Sequence, residues 1–305
     1  MGAAAELDIV TGATGYTGKY ITRRLLGQGR RVKSLTGHLN RENPFHGQVD
    51  LIPYNFDKPG ALTASLEGAT TLYNTYWVRF SHGGSTFDTA VQNTQVLLRA
   101  AKTAGVKKIV HVSIANPDKQ SPLPYYRGKA ALEEAVMASG LDYAIIRPTV
   151  IFGTEDILIN NIAWLLRTFP VFPIAGSGDY RIQPIFVEDI AELVVQAGQG
   201  GNNAILDTVG PEVFTFEDLV RLLAKAVGSR ARLVHVPPAA LLAASKLIGG
   251  IVGDVLLTRE EIDGLMADLL VSSGPPTGTT RLSDWVEDHK DTVGIRYASE
   301  IKRHF

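Results

Sequence analysis

Three side chains near the middle of the chain are of the types that do acid–base chemistry together. In the stretch YYRGK, Tyr125 and Lys129 are four residues apart, so on a helix they share one face. An ammonium beside a phenol favours the phenolate and lowers the phenol's pKa. A tyrosine tuned in this way gives a proton to a carbonyl oxygen or takes one from an alcohol. Ser113 ends the apolar run KIVHVS. A hydroxyl at the carboxyl end of a parallel strand lies where such sheets bind ligands, and it could hydrogen-bond the same oxygen. Each residue alone is common, since lysines on helices are usually solvated and serines after strands usually cap a turn. The combination is more specific than its parts.

A second group lies at Thr11–Gly18, TGATGYTG, directly after the apolar run Leu7–Val10. Gly12, Gly15 and Gly18 have the spacing that lets a strand turn sharply, lets backbone approach a pyrophosphate, and lets the next helix pack close. The N–H groups of that helix's first turn, aided by its dipole, attract an anion. Thr11, Thr14, Tyr16 and Thr17 complete the candidate phosphate site. The expected ligand is a dinucleotide, which would bring a hydride to the chemistry of Tyr125, Lys129 and Ser113. An acid at the end of the second strand would hold the ribose 2′-hydroxyl of NAD. Here VKSLTGHLNRE has no acid from Leu35 to Asn40 and offers His38 and Arg41 instead. A guanidinium suits a 2′-phosphate, so NADP(H) is the expected cofactor and NAD(H) the alternative.

These groups need elements to position them. Strand-like runs at Leu7–Val10, Val32–Leu35, Leu51–Tyr54, Thr71–Thr75, Lys108–Val112 and Tyr143–Ile146 alternate with helical patterns at Tyr16–Leu26, Thr86–Ala104 and Tyr125–Ser139. This alternation predicts an α/β fold, a doubly wound parallel sheet with helices on both faces. Beyond Arg147-Pro148 the rhythm loosens. The patterns there predict a helix over Ile157–Phe169, a strand and helix over Ile182–Ala197 that return to the main sheet, and a smaller C-terminal α/β lobe.

Composition narrows the field. The 305 residues are 45% hydrophobic and 20% charged, ordinary for a folded protein of one large or two modest domains. A net charge of −1 argues against a nucleic-acid partner. With no cysteine there is no disulfide, thiolate metal site or cysteine nucleophile. The histidines lack metal-site spacing, so no metal is expected. Glu133-Glu134 reads as a solvated helix face. The N-terminus lacks the regions of a signal peptide, which predicts a cytoplasmic location, or one peripheral to a membrane. The apolar stretch Val236–Thr258 opens on two prolines and contains Lys246 and Asp254, which predicts a packed helix; the alternative is a protein or peripheral membrane contact through 236–258.

The glycine stretch, Tyr125-x-x-x-Lys129, IIRPTVIFG (Ile145–Gly153) and QPIFVEDIA (Gln183–Ala191) together resemble the short-chain dehydrogenase/reductases. The branch they resemble is the extended, atypical one that includes the NADPH-binding accessory subunit of respiratory complex I and its bacterial relatives. The likeness runs from Leu7 to Ala197 and is weaker beyond. It implies a Rossmann domain over 1–153 and a C-terminal substrate or docking lobe over 154–305, with 182–200 returning to the Rossmann domain. It implies that the three glycines hold the pyrophosphate, that Tyr125 and Lys129 are the catalytic pair, and that Lys129 also holds the nicotinamide ribose. The backbone of Pro148, Thr149 and Val150 would flank the nicotinamide. Where typical members carry an acid after the third strand, YNFD offers Asn55 and Phe56 as cofactor contacts. Strand four ends in Asn74-Thr75-Tyr76-Trp77 in place of small residues, with Thr75 at the cofactor. The asparagine that many members carry on the long helix is replaced by Ala90, with Asn93 three residues on.

Three functions follow as candidates. The first is an NAD(P)-dependent oxidoreductase acting on a small molecule, apolar or aromatic to suit Trp77, Phe152, Trp164 and Phe172. The second is a non-catalytic NADPH-binding redox sensor or assembly subunit, docking through Val236–Thr258 by residues such as Ile248 and Ile251. The third is a sugar-nucleotide epimerase or dehydratase, which needs Arg167, Arg181 and Arg232 to form a basic pocket.

Overall fold

The structure, a computed structural model, describes residues 5–81, 84–299 and 301. The chain divides into two compact units, Met1–Pro148 with Ile190–Asp207, and Thr149–Asp189 with Thr208–Phe305.

The first unit opens with β1 (Leu7–Thr11), α1 (Tyr16–Gly27), β2 (Arg31–Thr36), β3 (Val49–Pro53), α2 (Pro59–Leu66) and β4 (Ala69–Asn74). It continues through α3 (Phe87–Thr103), β5 (Lys108–Val112), α4 (Pro124–Met137) and β6 (Asp142–Pro148). Every residue of β1 is buried, as expected of a central strand with parallel neighbours on both sides, β2 and β4. Leu62 and Leu66 of α2 and Leu97, Leu98 and Ala101 of α3 pack on Ile9, Leu72 and Ile109 of the sheet. The alternation read from the sequence therefore holds, with one helix added. PGALTASL, which forms α2, is small or apolar almost throughout and gives the helical period no polar face to contrast with.

The remaining elements are β7 (Ile151–Phe152), α5 (Leu158–Thr168), β8 (Val171–Ala175), β9 (Arg181–Ile182), β10 (Ile185–Phe186), α6 (Val187–Gln199) and β11 (Ala204–Thr208). After them come β12 (Phe214–Thr215), α7 (Phe216–Ala226), β13 (Arg232–Val236), α8 (Pro238–Val252), α9 (Arg259–Met266) and α10 (Leu282–Asp288). The large sheet has the order β11-β6-β5-β4-β1-β2-β3. The strand that extends it beyond β6 is β11 and not the segment at Ile182, which pairs antiparallel with β12. Pro184, which has no N–H to donate to a ladder, separates β9 from β10. The second unit has its own core, in which Phe152, Ile162, Leu166, Phe172, Leu223 and Trp285 are buried together.

Candidate active site

The chain leaves β1 toward β2 and β3, then comes back to β4 on the opposite side of β1. The carboxyl ends of β1 and β4 therefore form the topological switch point, where open α/β sheets bind their ligands. The glycine turn occupies it. Gly12 has φ +66°, a left-handed conformation that favours glycine, and its N–H donates to the Leu35 carbonyl at 2.7 Å. The Gly15 N–H donates to the Gly12 carbonyl at 2.8 Å. A side chain at Gly18 would collide with that same carbonyl, so only glycine lets α1 start so close to the turn. No side chain caps α1, and its first turn contains no acid. This cradle of bare backbone at a helix N-terminus fits a dinucleotide's pyrophosphate. Thr14, Tyr16 and Thr17 are half-buried around it.

Thr11 and Thr75 brace the turn against β4. The Thr75 N–H donates to Thr11 Oγ1 at 2.7 Å and the Thr75 hydroxyl to the Thr11 carbonyl at 2.5 Å. The Thr11 hydroxyl in turn donates to Asn74 Oδ1 at 3.1 Å. Their polar groups hold the switch point together instead of facing open space. The loop after β2 holds His38 and Arg41 half-buried, with the Arg41 N–H donating to the His38 carbonyl at 3.2 Å.

Next to the turn lie three aromatic rings. Tyr54 stacks on Phe56 at 4.8 Å between ring centres, and Tyr76 meets them at 5.0 and 5.1 Å. The Tyr54 hydroxyl would be 4.0 Å from a side-chain carbon at Gly12. Asn55 has φ +48°, and its carbonyl accepts from the Lys58 N–H ahead of α2. Asn93 on α3 donates to the Tyr76 hydroxyl at 3.0 Å. Sequence reasoning named Phe56 but missed Tyr54 and the use of Asn93. An aromatic residue just after each of two successive strands, Tyr54 after β3 and Tyr76 after β4, was the available signal.

Tyr125 and Lys129 open α4, with Pro124 at the helix's first position. Tyr125 is half-buried, whereas Lys129 is only 3% exposed. The Lys129 ammonium donates to the Val112 carbonyl at the end of β5, 2.9 Å away, and sits 4.6 Å from the centre of the Trp77 ring. Trp77 also meets Tyr125 edge-on at 5.6 Å and stacks on Phe87 at 5.7 Å. Gly128 makes room for this, because a side-chain carbon there would be 2.8 Å from the indole. Burial pushes Lys129 down to about 7, and the nearby Glu133 carboxylate opposes that shift.

His111, fully buried on β5, is paired with Asn74 through its Nδ1 at 3.0 Å. The Tyr76 N–H donates to Asn74 Oδ1, which leaves the Asn74 amide to donate to His111 and assigns the ring proton to Nε2. Burial, then the charge of Lys129, hold His111 well below its ordinary range, so it is neutral at pH 7.

Ser113 directly follows β5, as expected, but it is buried and its hydroxyl is engaged. Its hydroxyl donates to Glu133 Oε1 at 2.5 Å, so the same proton cannot also be given to a substrate oxygen. Glu133 itself corrects the solvated-face reading. It is 3% exposed and accepts from Arg147 Nε at 2.9 Å and Nη2 at 2.5 Å. Its neighbour Glu134 is exposed and pairs with Lys119.

The Pro148 carbonyl accepts from the Ala115 N–H at 2.8 Å within the first unit. Thr149 and Val150 belong to the second unit. There the Thr149 hydroxyl donates to the Gln183 carbonyl, and the Val150 carbonyl accepts from the Ile185 N–H at 2.8 Å. Phe152 and Phe172 are core residues of that unit, and Trp164 packs on Phe169 and Tyr297. Arg181 is paired with Asp268, and Arg167 donates to the Val293 carbonyl, so neither is spare for a basic pocket. Among the described residues no group of three or more His, Cys, Asp or Glu could hold a metal ion.

Residues 12–159 match the NAD(P)H-binding family. The Arabidopsis thaliana mitochondrial NADH dehydrogenase (ubiquinone) 1 alpha subcomplex subunit 9 is 27% identical over 75% of this chain, which spans only 60% of that protein. The ceramide reductase of Caulobacter vibrioides is 27% identical over 78% of this chain and 76% of its own. The NADP(H) complex of Citrobacter sp. triphenylmethane reductase shares the fold with a TM-score of 0.75 at 17% identity, covering 92% of this chain and 99% of that one. The fold and the glycine turn are those of a Rossmann-type NAD(P)-binding protein, and the proteins it is similar to are consistent with the resemblance to the atypical, extended short-chain dehydrogenase/reductases.

Proposed function

We propose that this chain is a nicotinamide-dependent oxidoreductase, NADP(H)-preferring, acting on a carbonyl, an alcohol or a conjugated carbon of an apolar substrate. The observation that carries the reading is the convergence on Trp77. Buried Lys129 lies against the indole face and Tyr125 against its edge, one helical turn apart. A bound nicotinamide would supply or accept the hydride. Tyr125 then gives a proton to the substrate oxygen or takes one from it, and the Lys129 ammonium favours the phenolate. The aromatic rings of Trp77, Phe87 and Tyr125 suit an apolar substrate, and one relative is named a ceramide reductase. His38 and Arg41 in the loop after β2, with no acid from Leu35 to Asn40, support the preference for a 2′-phosphate. Titration of the purified protein with NADPH and NADH, followed by quinones, enones and aldehydes, tests this. Oxidation of bound NADPH by one compound class is expected. Binding without oxidation by any of them counts against catalysis.

A second reading has its own support. The indole covers the ammonium that would engage a nicotinamide ribose, Ala90 stands at the place of the asparagine in the family the sequence resembles, and one relative is named an NADH dehydrogenase subunit. In that reading the dinucleotide is a structural or sensory ligand, and the exposed Leu247 and Ile251 of α8 would be the surface that meets a partner.

A further inference from the structure

The spacing of Tyr125, Lys129 and Glu133 puts all three on one stripe of α4. Two of them grip consecutive residues at the end of β5. Lys129 takes the Val112 carbonyl at 2.9 Å, and Glu133 takes the Ser113 hydroxyl at 2.5 Å. Arg147 on β6 closes the far side of Glu133 with a two-point contact. Around Lys129 are the Val112 carbonyl and His111 from β5, the Trp77 ring and the Glu133 carboxylate from its own helix, with Arg147 of β6 paired to Glu133 behind it. Among them His111 is neutral, Arg147 is spent on Glu133, and Glu133 is the anion. A buried ammonium with no anion nearby gives up its proton.

We propose that Glu133 is the positioning residue of this site: its carboxylate takes the hydroxyl proton of Ser113 and sustains the positive charge of Lys129. Ser113 therefore meets a substrate oxygen only as a hydrogen-bond acceptor, and Tyr125 is left as the proton donor to a carbonyl. The consequence for turnover rests on the oxidoreductase reading, but the charge on Lys129 does not.

The experiment is a pH titration of the lysine side-chain signals of the whole, 13C-lysine-labelled protein by NMR, with Lys129 assigned by its loss in Lys129→Arg. In Glu133→Gln the Lys129 midpoint should fall by about one pH unit, the lower end of what one nearby opposite charge does. In Arg147→Gln, where the carboxylate loses its competing cation, the midpoint should rise. Arg147→Lys keeps both charges and should leave it in place. If turnover is found, the alkaline limb of kcat/KM should move with the lysine in each variant. A brace that only ties β5 to β6 would lower Tm in both neutral variants and move neither midpoint, and that result overturns the proposal. Should Glu133→Gln fail to fold, the Arg147 pair decides alone, and an unmoved midpoint in Arg147→Gln refutes it. A protein inert toward every oxidant but showing the two opposed shifts would refute the oxidoreductase reading and leave this one standing.

Discussion

Lys129 is held where a lysine is least at ease, buried, with one carbonyl, one indole face and one carboxylate for company. Its folded pKa, about 7, lies below the ordinary 10.5. Between those two values the unfolded chain binds more protons than the folded one, so stability rises with pH across that window. Below pH 7 both states bind the proton and the full cost of the buried charge is present. Lys129→Met should therefore raise Tm most below pH 7, with the gain closing as pH climbs toward 10. Parallel melting curves from pH 6 to 10 check this, and a pH-independent difference would contradict it. At the other end of the cofactor, Arg41→Ala should weaken NADPH binding by about tenfold or more while leaving NADH nearly unchanged, because only the former carries a 2′-phosphate. Paired fluorescence titrations read both constants. Equal losses for the two nucleotides would remove Arg41 from the 2′ position.

At the scale of elements, two glycines decide what can approach what. Gly18 lets α1 start against the Gly12 carbonyl, and Gly128 lets the Trp77 indole lie on α4. Gly128→Ala puts a methyl 2.8 Å from a ring carbon, closer than side-chain carbons pack, so the indole must shift against α4 and its contact with Lys129 should loosen. We expect an altered tryptophan emission and a raised accessibility of Lys129 to amine reagents, with α4 itself intact by circular dichroism. An unchanged spectrum would mean that the ring yields without leaving the lysine. The β1–turn–α1 unit was legible in the sequence because strand, glycine spacing and helix are contiguous, and Tyr125 with Lys129 because both lie within one turn. The partnership of Ser113, Glu133 and Arg147 was not. It joins residues from β5, α4 and β6, and an adjacent pair of glutamates looks solvated until packing buries one of them. Tyr54 was missed for the same reason, since its place over the turn depends on how β3 lies beside β2.

At the scale of the molecule, the sheet order puts the glycine turn and the Asn74–Trp77 segment at one switch point, so the dinucleotide reading does not hang on a motif alone. Among the described residues no helix is long and apolar enough to cross a membrane. The helix α8 nonetheless presents Leu247 and Ile251 at 74% and 80% exposure, four residues apart on one face, while Ile248 turns inward to half-burial. Leu247 therefore replaces Ile248 in the expected outward pair. Leu247→Glu with Ile251→Glu should change stability by no more than about 0.5 kcal/mol per site, as exposed positions do. Any association of the protein with a partner or with lipid should be lost. Denaturant melts and co-sedimentation separate the two effects, and a large loss of stability would show that this face is packed.

In the proposed reaction Tyr125 moves the proton that accompanies hydride transfer. The most direct measurement is single-turnover oxidation of bound NADPH by the best substrate of the quinone, enone and aldehyde panel, in the wild type and in Tyr125→Phe. Tyr125→Phe should bind NADPH with nearly the wild-type constant and oxidise it at least about 100-fold more slowly, the scale of a lost general acid. Equal rates in the two proteins, or bound NADPH that no compound oxidises even in the wild type, would contradict it.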